Sequence, residues 1–437
     1  METINIGIVG YGVVGAGVAK LLKLKKQLLE ARTGALLNLK TIADIDIETD
    51  RGIELGETAL VRDAMQVIDD PDIDIVVELI GGGTIAKDFT LKALENKKHV
   101  VTANKALLAG HGNELVRTAR LNQVDLAFEA SCGGCMPIIK SLRESLVAND
   151  INSMSAILNG TCNYILTKIS QDGSEFEEVL KKAQELGFAE AEPSLDVDGH
   201  DTAHKLAILN SLAHGMEINL ENIHVEGIRN ITPVDIEFAR DFGYTIKLLA
   251  ISKIHDEHVE ARVHPTMITK SNPLSHVDHS MNAIAIDADA TGKTMLYGHG
   301  AGMMPTASAV LSDIADIARN IIAKTKRRVP ILGYPEENIR PIPILPMAEL
   351  FTRYYLRFEA QDHPGVLAKI SGILGENQIS IKSVHQKGRQ SNGKVPVVMI
   401  SHRAKELWVQ TALSQIAATD SVVGEPVVIR IEEDEQD

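Results

Sequence analysis

The stretch Ile4-Asn5-Ile6-Gly7-Ile8-Val9-Gly10-Tyr11-Gly12-Val13-Val14-Gly15 decides the fold of the N-terminal part of the chain. Its first six residues are a short apolar run suited to a buried strand. Gly10, Gly12 and Gly15 follow at G-x-G-x-x-G spacing, and Val18, Leu21 and Leu22 continue at helical intervals. Between a strand and a helix, such glycines allow a tight turn and let backbone amides approach a pyrophosphate at the helix N-terminus. Gly10, Tyr11, Gly12, Val13, Val14 and Gly15 are therefore the expected dinucleotide cradle.

The neighbouring segments extend the same pattern. Leu37–Ala43 reads as a second strand ending at Asp44 and Asp46, where an acid can accept hydrogen bonds from an adenosine ribose. No arginine stands immediately beside Asp44, so this loop leans slightly towards NAD over NADP, although Lys40 or Arg51 could swing in. Asp74–Ile80 is a third strand running into Gly81-Gly82-Gly83, small residues that let a cofactor lie at the strand's carboxyl end. His99–Thr102 is a fourth, ending in Ala103-Asn104-Lys105. A lysine at that edge is a candidate to touch nicotinamide or substrate, against the plainer reading of a loop cap. Val124–Phe128 leads to Glu129-Ala-Ser-Cys132-Gly-Gly134-Cys135-Met136-Pro137. The C-x-x-C pair lacks the thioredoxin-like setting of a redox dithiol and the further ligands of a zinc site, which leaves a glycine-rich turn with inward carbonyls.

The whole chain sets limits on this reading. Its 437 residues are 44% hydrophobic and 24% charged, as in an ordinary soluble protein of two or three domains. The net charge of −15 argues against a nucleic-acid partner. No apolar run is long enough to span a bilayer, and no signal-peptide pattern opens the chain. Three cysteines cannot form an all-paired disulfide framework, so a cytoplasmic home is the simplest fit.

Ile138–Leu146 would carry the chain into a second domain of alternating strands and helices, an α+β arrangement. Asn159-Gly160-Thr161 reads as a polar turn opening a helix, and Gly187 stops a later one. Then comes Glu190-Ala-Glu192-Pro193-Ser-Leu-Asp196-Val-Asp198-Gly199-His-Asp201-Thr-Ala-His-Lys205, five carboxylates before one lysine. After Gly199 the pattern turns helical, placing Asp201 and Lys205 one turn apart. That spacing suits an ordinary surface ion pair, or a lysine tuned by an aspartate in a cleft. His200 and His204 mimic a zinc motif, but with a short acid and no third ligand. Thr245–Lys253 with His258–His264, and Asn282–Ile286 with Lys293–Tyr297, read as two hairpins. Gly298-His-Gly300-Ala-Gly302 then precedes a long helix, a run that could lie against a nicotinamide and lead the chain back to the first domain.

Five prolines make 329–350 a stiff linker, with the basic run Lys324–Arg328 before it as a helix end. A βαββαβ order follows from Tyr354 to Ile431, which is ferredoxin-like, and Glu432–Asp437 reads as a frayed acidic tail. The expected domains are thus 1–135 with 300–325 packing back, 136–299, and 351–432.

Together these motifs resemble the homoserine dehydrogenase family, through the glycine turn, Ala103-Asn104-Lys105, Asn159-Gly160-Thr161, Ala189–Pro193, Asp196–Asp201 with Lys205, and Gly300-Ala-Gly302. The resemblance implies α/β architecture: a Rossmann nucleotide-binding domain, an α+β domain for substrate and dimerisation, and a C-terminal ACT domain. It implies NAD(P)-dependent interconversion of aspartate 4-semialdehyde and homoserine. Lys205 would handle the alcohol proton, Asp201 and Glu190 would engage substrate, and Lys105 would lie near substrate and nicotinamide. Asn159, Gly160, Thr161, Gly187 and Asp196 would complete the substrate side. Asp44, Gly81, Thr102, Ala103, Gly300 and Gly302 would join the cofactor cradle. A monovalent cation, Na+ or K+, would be held by Glu129 and carbonyls of Cys132, Gly134 and Met136. The loop departs from the family's Val-Ala-Gly-Gly by carrying Cys132-Gly-Gly-Cys135, and Glu192 replaces an aspartate. Asp362, Pro364, Gly365, Val366 and Leu367 match the D-x-P-G turn of ACT domains, implying control by an amino acid such as threonine. A homodimer or homotetramer is expected.

Two other functions fit parts of the sequence. A semialdehyde dehydrogenase could form a thioester on Cys132 or Cys135. A non-catalytic amino-acid sensor could retain NAD(P) only as a ligand.

Overall fold

The computed structural model describes residues 1–386 and 393–433. They form two compact units, Met1–Met154 with Asp201–Glu221 and Met281–Ile342, and Ser155–His200 with Asn222–Ser280 and Pro343–Asp437. Among the described residues no helix is long and apolar enough to cross a membrane.

In the first unit, β1 (Glu2–Val9), β2 (Ala35–Ala43), β3 (Ala59–Val61), β4 (Ile75–Glu78), β5 (His99–Thr102) and β6 (Leu126–Ala127) form a parallel sheet. Their order is β3-β2-β1-β4-β5-β6. The order reverses direction between β1 and β4, and in such sheets ligands bind outside the strand ends at that switch. Ile4, Ile6 and Ile8 are buried in the core with Val18 and Leu22 from the helix Val13–Leu24. The helix Met303–Ile322 packs on that helix so closely that a Cβ on Gly17 would lie 2.7 Å from the Met303 carbonyl oxygen. Beyond the expected 1–135 with 300–325, the first unit also takes in Asp201–Glu221 and the hairpin Met281–Ala288/Gly292–His299. The helix His200–His214 explains part of this. It is buried on nearly every side, so it needs packing all round rather than one apolar stripe.

In the second unit, Tyr244–Ile254 and Val259–Thr269 form an antiparallel hairpin. Val427–Glu432 adds to it in parallel, Thr266 opposite Arg430, and then Phe351–Gln361, Lys394–Ser401 and Ile381–Gln386 follow antiparallel. The C-terminal strands keep the ferredoxin-like order, with Val366–Glu376 and Glu406–Ala417 packed over Leu356, Phe358 and Val397. This region therefore shares a sheet with the hairpin. Glu432 ends a strand and pairs with Lys253 and Arg262, so it is not frayed. Residues 434–437 of the expected tail lie outside the described residues.

The proline-rich segment is not a free spacer either. Arg340 donates its amide to the Gly215 carbonyl, and Val259 exchanges backbone hydrogen bonds with Pro343 and Leu345. Proline removes donors but leaves carbonyls to pair, which lets such a segment dock along an element.

Candidate active site

Gly199, at φ +88°, turns the chain into the helix His200–His214. One turn on, Lys205 Nζ lies 2.6 Å from Asp201 Oδ2. Lys105 Nζ lies 3.2 Å from the other oxygen, Asp201 Oδ1. One buried carboxylate thus holds two ammonium groups from distant parts of the sequence. Asp201 and Lys205 side chains are 6% and 10% exposed, against 35% for Lys105. An exposed i,i+4 pair contributes little, whereas this one is largely removed from water. Either ammonium can donate a proton to, or stabilise, an oxygen that gains negative charge.

Lys105 opens the helix Lys105–Leu121, whose N-cap Asn104 accepts from the Leu107 amide and donates to the Gly82 carbonyl. Thr102 is fully buried and its hydroxyl donates to Glu78 Oε2 at 2.6 Å. The other Glu78 oxygen accepts from the Ile80 amide. The Thr102 hydroxyl is thus committed to Glu78, which leaves its backbone to face a cofactor. Glu78, missed in the sequence, ties the ends of β4 and β5 together, and burial raises its pKa. Its signal was a lone acid closing the apolar run Ile75-Val-Val-Glu78.

The glycine turn suits a pyrophosphate. A Cβ on Gly12 would meet nothing within 4 Å, whereas one on Gly15 would lie 2.1 Å from the Gly10 carbonyl oxygen. Val13, at the helix start, is 69% exposed, so the cradle's outer face is open. Gly81 adopts φ +73° with open space around it. Asp44 accepts from the Tyr11 and Asp46 amides. Of the two side chains left open by the sequence, Arg51 swings in. Arg51 Nη2 lies 4.0 Å from Asp44, its Nε donates to the Tyr11 carbonyl, and its guanidinium sits 4.8 Å over the Tyr11 ring. Lys40 instead pairs with Asp70 and Asp72.

Gly300 is required by packing: its Cβ would lie 2.2 Å from the Asn282 carboxamide, and one on Gly134 would lie 2.5 Å from the Gly300 carbonyl carbon. Gly302, at φ +132°, precedes the helix Met303–Ile322. Glu129 is 2% exposed and accepts from the Ile139 and Lys140 amides. Burial, and then the nearby Asp313, push its pKa up to about 7. The two buried acids, Glu129 and Asp313, lie near Lys140 and Arg143, and Glu129 is the carboxylate that could face a small cation. Cys132 is fully buried, with its thiol pushed up to about 12 by burial, so it is a poor nucleophile near neutral pH. Cys135 is exposed.

Titration of this unit gives a testable sign. Burial lowers the His214 pKa from 6.5 to about 4, so its contribution to stability is present above pH 6.5 and is lost as pH falls towards 4. Glu129 acts oppositely, costing stability as pH rises through about 7. The difference between wild type and His214→Gln isolates the histidine. Urea unfolding from pH 7 to pH 4.5 is expected to show wild type losing about 2 kcal/mol more than the variant. Parallel curves would show that His214 titrates normally.

In the second unit, Asn159 caps the helix Gly160–Asp172 and donates to Asp196 Oδ1 at 2.7 Å. Thr161 donates to the Phe188 carbonyl and approaches Asp196 Oδ2. Gly160 admits no side chain, since a Cβ would lie 2.8 Å from the Ser280 carbonyl oxygen. Gly187 adopts φ +75° and Glu190 is exposed. Asp198 is paired with Arg229 and Glu192 with Ser194, structural partners for both. At the C-terminal turn, the Asp362 amide donates to the Gly393 carbonyl, and Gly365, at φ +93°, precedes the helix Val366–Glu376. Val366 is buried and Leu367 exposed.

Comparison with known proteins matches this geometry. A family model described as homoserine dehydrogenase matches residues 137–315, its NAD-binding model residues 10–129, and an ACT-domain model residues 354–435. A homoserine dehydrogenase of Neisseria gonorrhoeae is 42% identical over 99% of this chain and 99% of that protein. The chain belongs to the homoserine dehydrogenase family. A relative of that name from Pseudomonas aeruginosa is also 42% identical, over 99% of this chain and 100% of its own length. A crystal structure of a homoserine dehydrogenase from Thiobacillus denitrificans superposes with a TM-score of 0.94, at 41% identity and 99% coverage of both chains. A hyperthermophilic archaeal homoserine dehydrogenase in complex with NADPH has a TM-score of 0.62 at 27% identity, covering 72% of this chain and 98% of its own. The family assignment makes the chain an NAD(P)-dependent oxidoreductase with a Rossmann-like nucleotide-binding sheet and an ACT domain.

Proposed function

We propose that Lys205 is the proton donor and acceptor in interconverting L-aspartate 4-semialdehyde and L-homoserine. The observation that carries this reading is the single Asp201 carboxylate held between Lys205 and Lys105. A bound nicotinamide supplies or accepts the hydride. Lys205 Nζ gives its proton to the aldehyde oxygen as that oxygen gains charge, and takes it back from the alcohol in the reverse direction. Asp201 fixes the direction of the ammonium without removing its charge. Lys105, the more exposed lysine, lies on the side open to ligand and steadies the same oxygen or its neighbour.

The cradle of Gly10, Gly12 and Gly15 would hold the cofactor, with Arg51 reading the adenosine end. The place of Arg51 beside Tyr11 and Asp44 favours NADP, because a guanidinium offers a 2′-phosphate paired donors. Arg51→Ala should raise the KM for NADPH about tenfold and leave that for NADH nearly unchanged. Equal losses for both coenzymes would remove Arg51 from the 2′-phosphate. Glu129, with the carbonyls of Cys132, Gly134 and Met136, would hold Na+ or K+. The turn at Asp362–Leu367 would take an amino-acid effector, threonine first, and the enzyme would work as a cytoplasmic homodimer or homotetramer. Nothing at Cys132 supports the thioester alternative, since its thiol resists ionisation.

Homoserine oxidation assayed with NADP and with NAD, with and without threonine, tests this reading. Homoserine-dependent reduction faster with NADP, and slowed by threonine, is expected. No homoserine-dependent reduction with either coenzyme would refute it.

A further inference from the structure

In the second unit a cavity of about 300 Å³ lies between the helices Gly160–Asp172 and Pro233–Asp241, the start of the strand Tyr244–Ile254, and the loop after Thr269. Among the described residues, Arg240, Lys247, Lys270 and His276 line it against one carboxylate, Asp278. That balance runs against the chain's net charge of −15.

Lys247 is the buried member, its side chain 2% exposed, and its Nζ donates to Asn163 Oδ1, the Val277 carbonyl and Asp278 Oδ1. Alone it would be a structural pin for the loop at Val277 and Asp278. The other two cations are not needed for that. Arg240 donates to the Ser170 carbonyl, and Lys270 to the Arg240 carbonyl. Carbonyl oxygens satisfy these donors but bring no formal charge, so the positive charge of the cavity stays largely uncancelled. Asp278, the one anion in the lining, is 46% exposed at its side chain, where water weakens its hold. Burial lowers the Lys247 pKa despite Asp278, as expected where negative charge is in short supply.

We propose that this cavity binds a small dianionic oxyanion, with Lys247 at its floor and Arg240 and Lys270 at its rim. The volume stands at the lower end of the range for ligand pockets, which leaves room for a small anion together with water. A phosphate group and a short dicarboxylate share the required charge and oxygen donors. The cavity is lined by residues of the second unit, whereas the Asp201 cluster belongs to the first. Both helices that wall it have assigned work at their N-termini. Asn159 caps one and contacts Asp196, while Asp235 in the other accepts from Tyr355 and Arg357 of the ACT domain.

Full-length protein saturated with NADP+, so that the nucleotide cradle is filled, is titrated by calorimetry at constant ionic strength with inorganic phosphate and separately with succinate. Saturable binding of either is expected, with phosphate alone binding if the site reads a phosphoryl group and both binding if it reads charge. Arg240→Gln with Lys270→Gln should weaken that binding at least about tenfold. Both positions are exposed, so the fold is retained. Hydrogen exchange should show added protection within 236–247 and 270–278. Heats no larger than those from matched NaCl, binding unchanged in the double variant, or protection confined to other segments would each overturn the proposal.

Discussion

Replacing Lys205 with alanine is expected to slow homoserine oxidation by about a thousandfold, within the span that a positioned general acid or base contributes. NADPH binding should stay within about twofold, because the glycine cradle is built from other residues. The lysine has no substitute nearby: Lys105 reaches the same carboxylate, but from its opposite oxygen. Two companion variants separate proton transfer from charge. Lys205→Arg keeps a cation beside Asp201 but holds its proton too tightly to give it up, so it should not restore the rate. Asp201→Asn leaves both lysines without their shared anion and should cost about a hundredfold in kcat. A Lys205→Ala enzyme retaining more than about a tenth of the rate would remove the lysine from the chemistry.

Glu406→Ala is expected to destabilise the second unit by about 3 kcal/mol, the low end for breaking a buried ion pair. Arg430 is 2% exposed and meets Glu406 through two bonds, Nε to Oε2 at 2.9 Å and Nη2 to Oε1 at 2.6 Å. Removing Glu406 strands a guanidinium in the interior, although Glu226, 2.6 Å from Nη1, still offsets part of its charge. Replacing both partners together, with Glu406→Leu and Arg430→Met, removes the stranded guanidinium, leaves Glu226 its exposure and its His224 partner, and should recover at least half of the loss. Urea midpoints of the three proteins decide the matter. A double variant no more stable than Glu406→Ala would mean that packing, rather than charge, holds this seam. The pair matters to architecture because Arg430 lies on the strand that docks against Thr266.

Much of the first unit could be read from local pattern. Apolar runs of strand length, glycines at G-x-G-x-x-G spacing and helical periodicity each depend only on near neighbours. The same holds for Asn159 as a helix cap, for both hairpins, and for the βαββαβ order near the C-terminus. Residue pairs that meet through the fold could not be read in this way. Glu78 with Thr102, and Arg51 over Tyr11, depend on which strand ends become neighbours in the sheet. In the segment 329–350, likewise, proline content reports stiffness but not which carbonyls find donors.

The segment from Glu190 to Lys205 divides along the same line. Its sequence alone determined the helix after Gly199 and the one-turn spacing of Asp201 and Lys205, because both follow from the 3.6-residue repeat. Only the tertiary structure decided that Asp201 also meets Lys105, since that contact requires the end of β5 to arrive beside the buried helix. Burial then turns an exposed pair of little consequence into a charged cluster held largely out of water, and burial is a property of packing that no local spacing encodes.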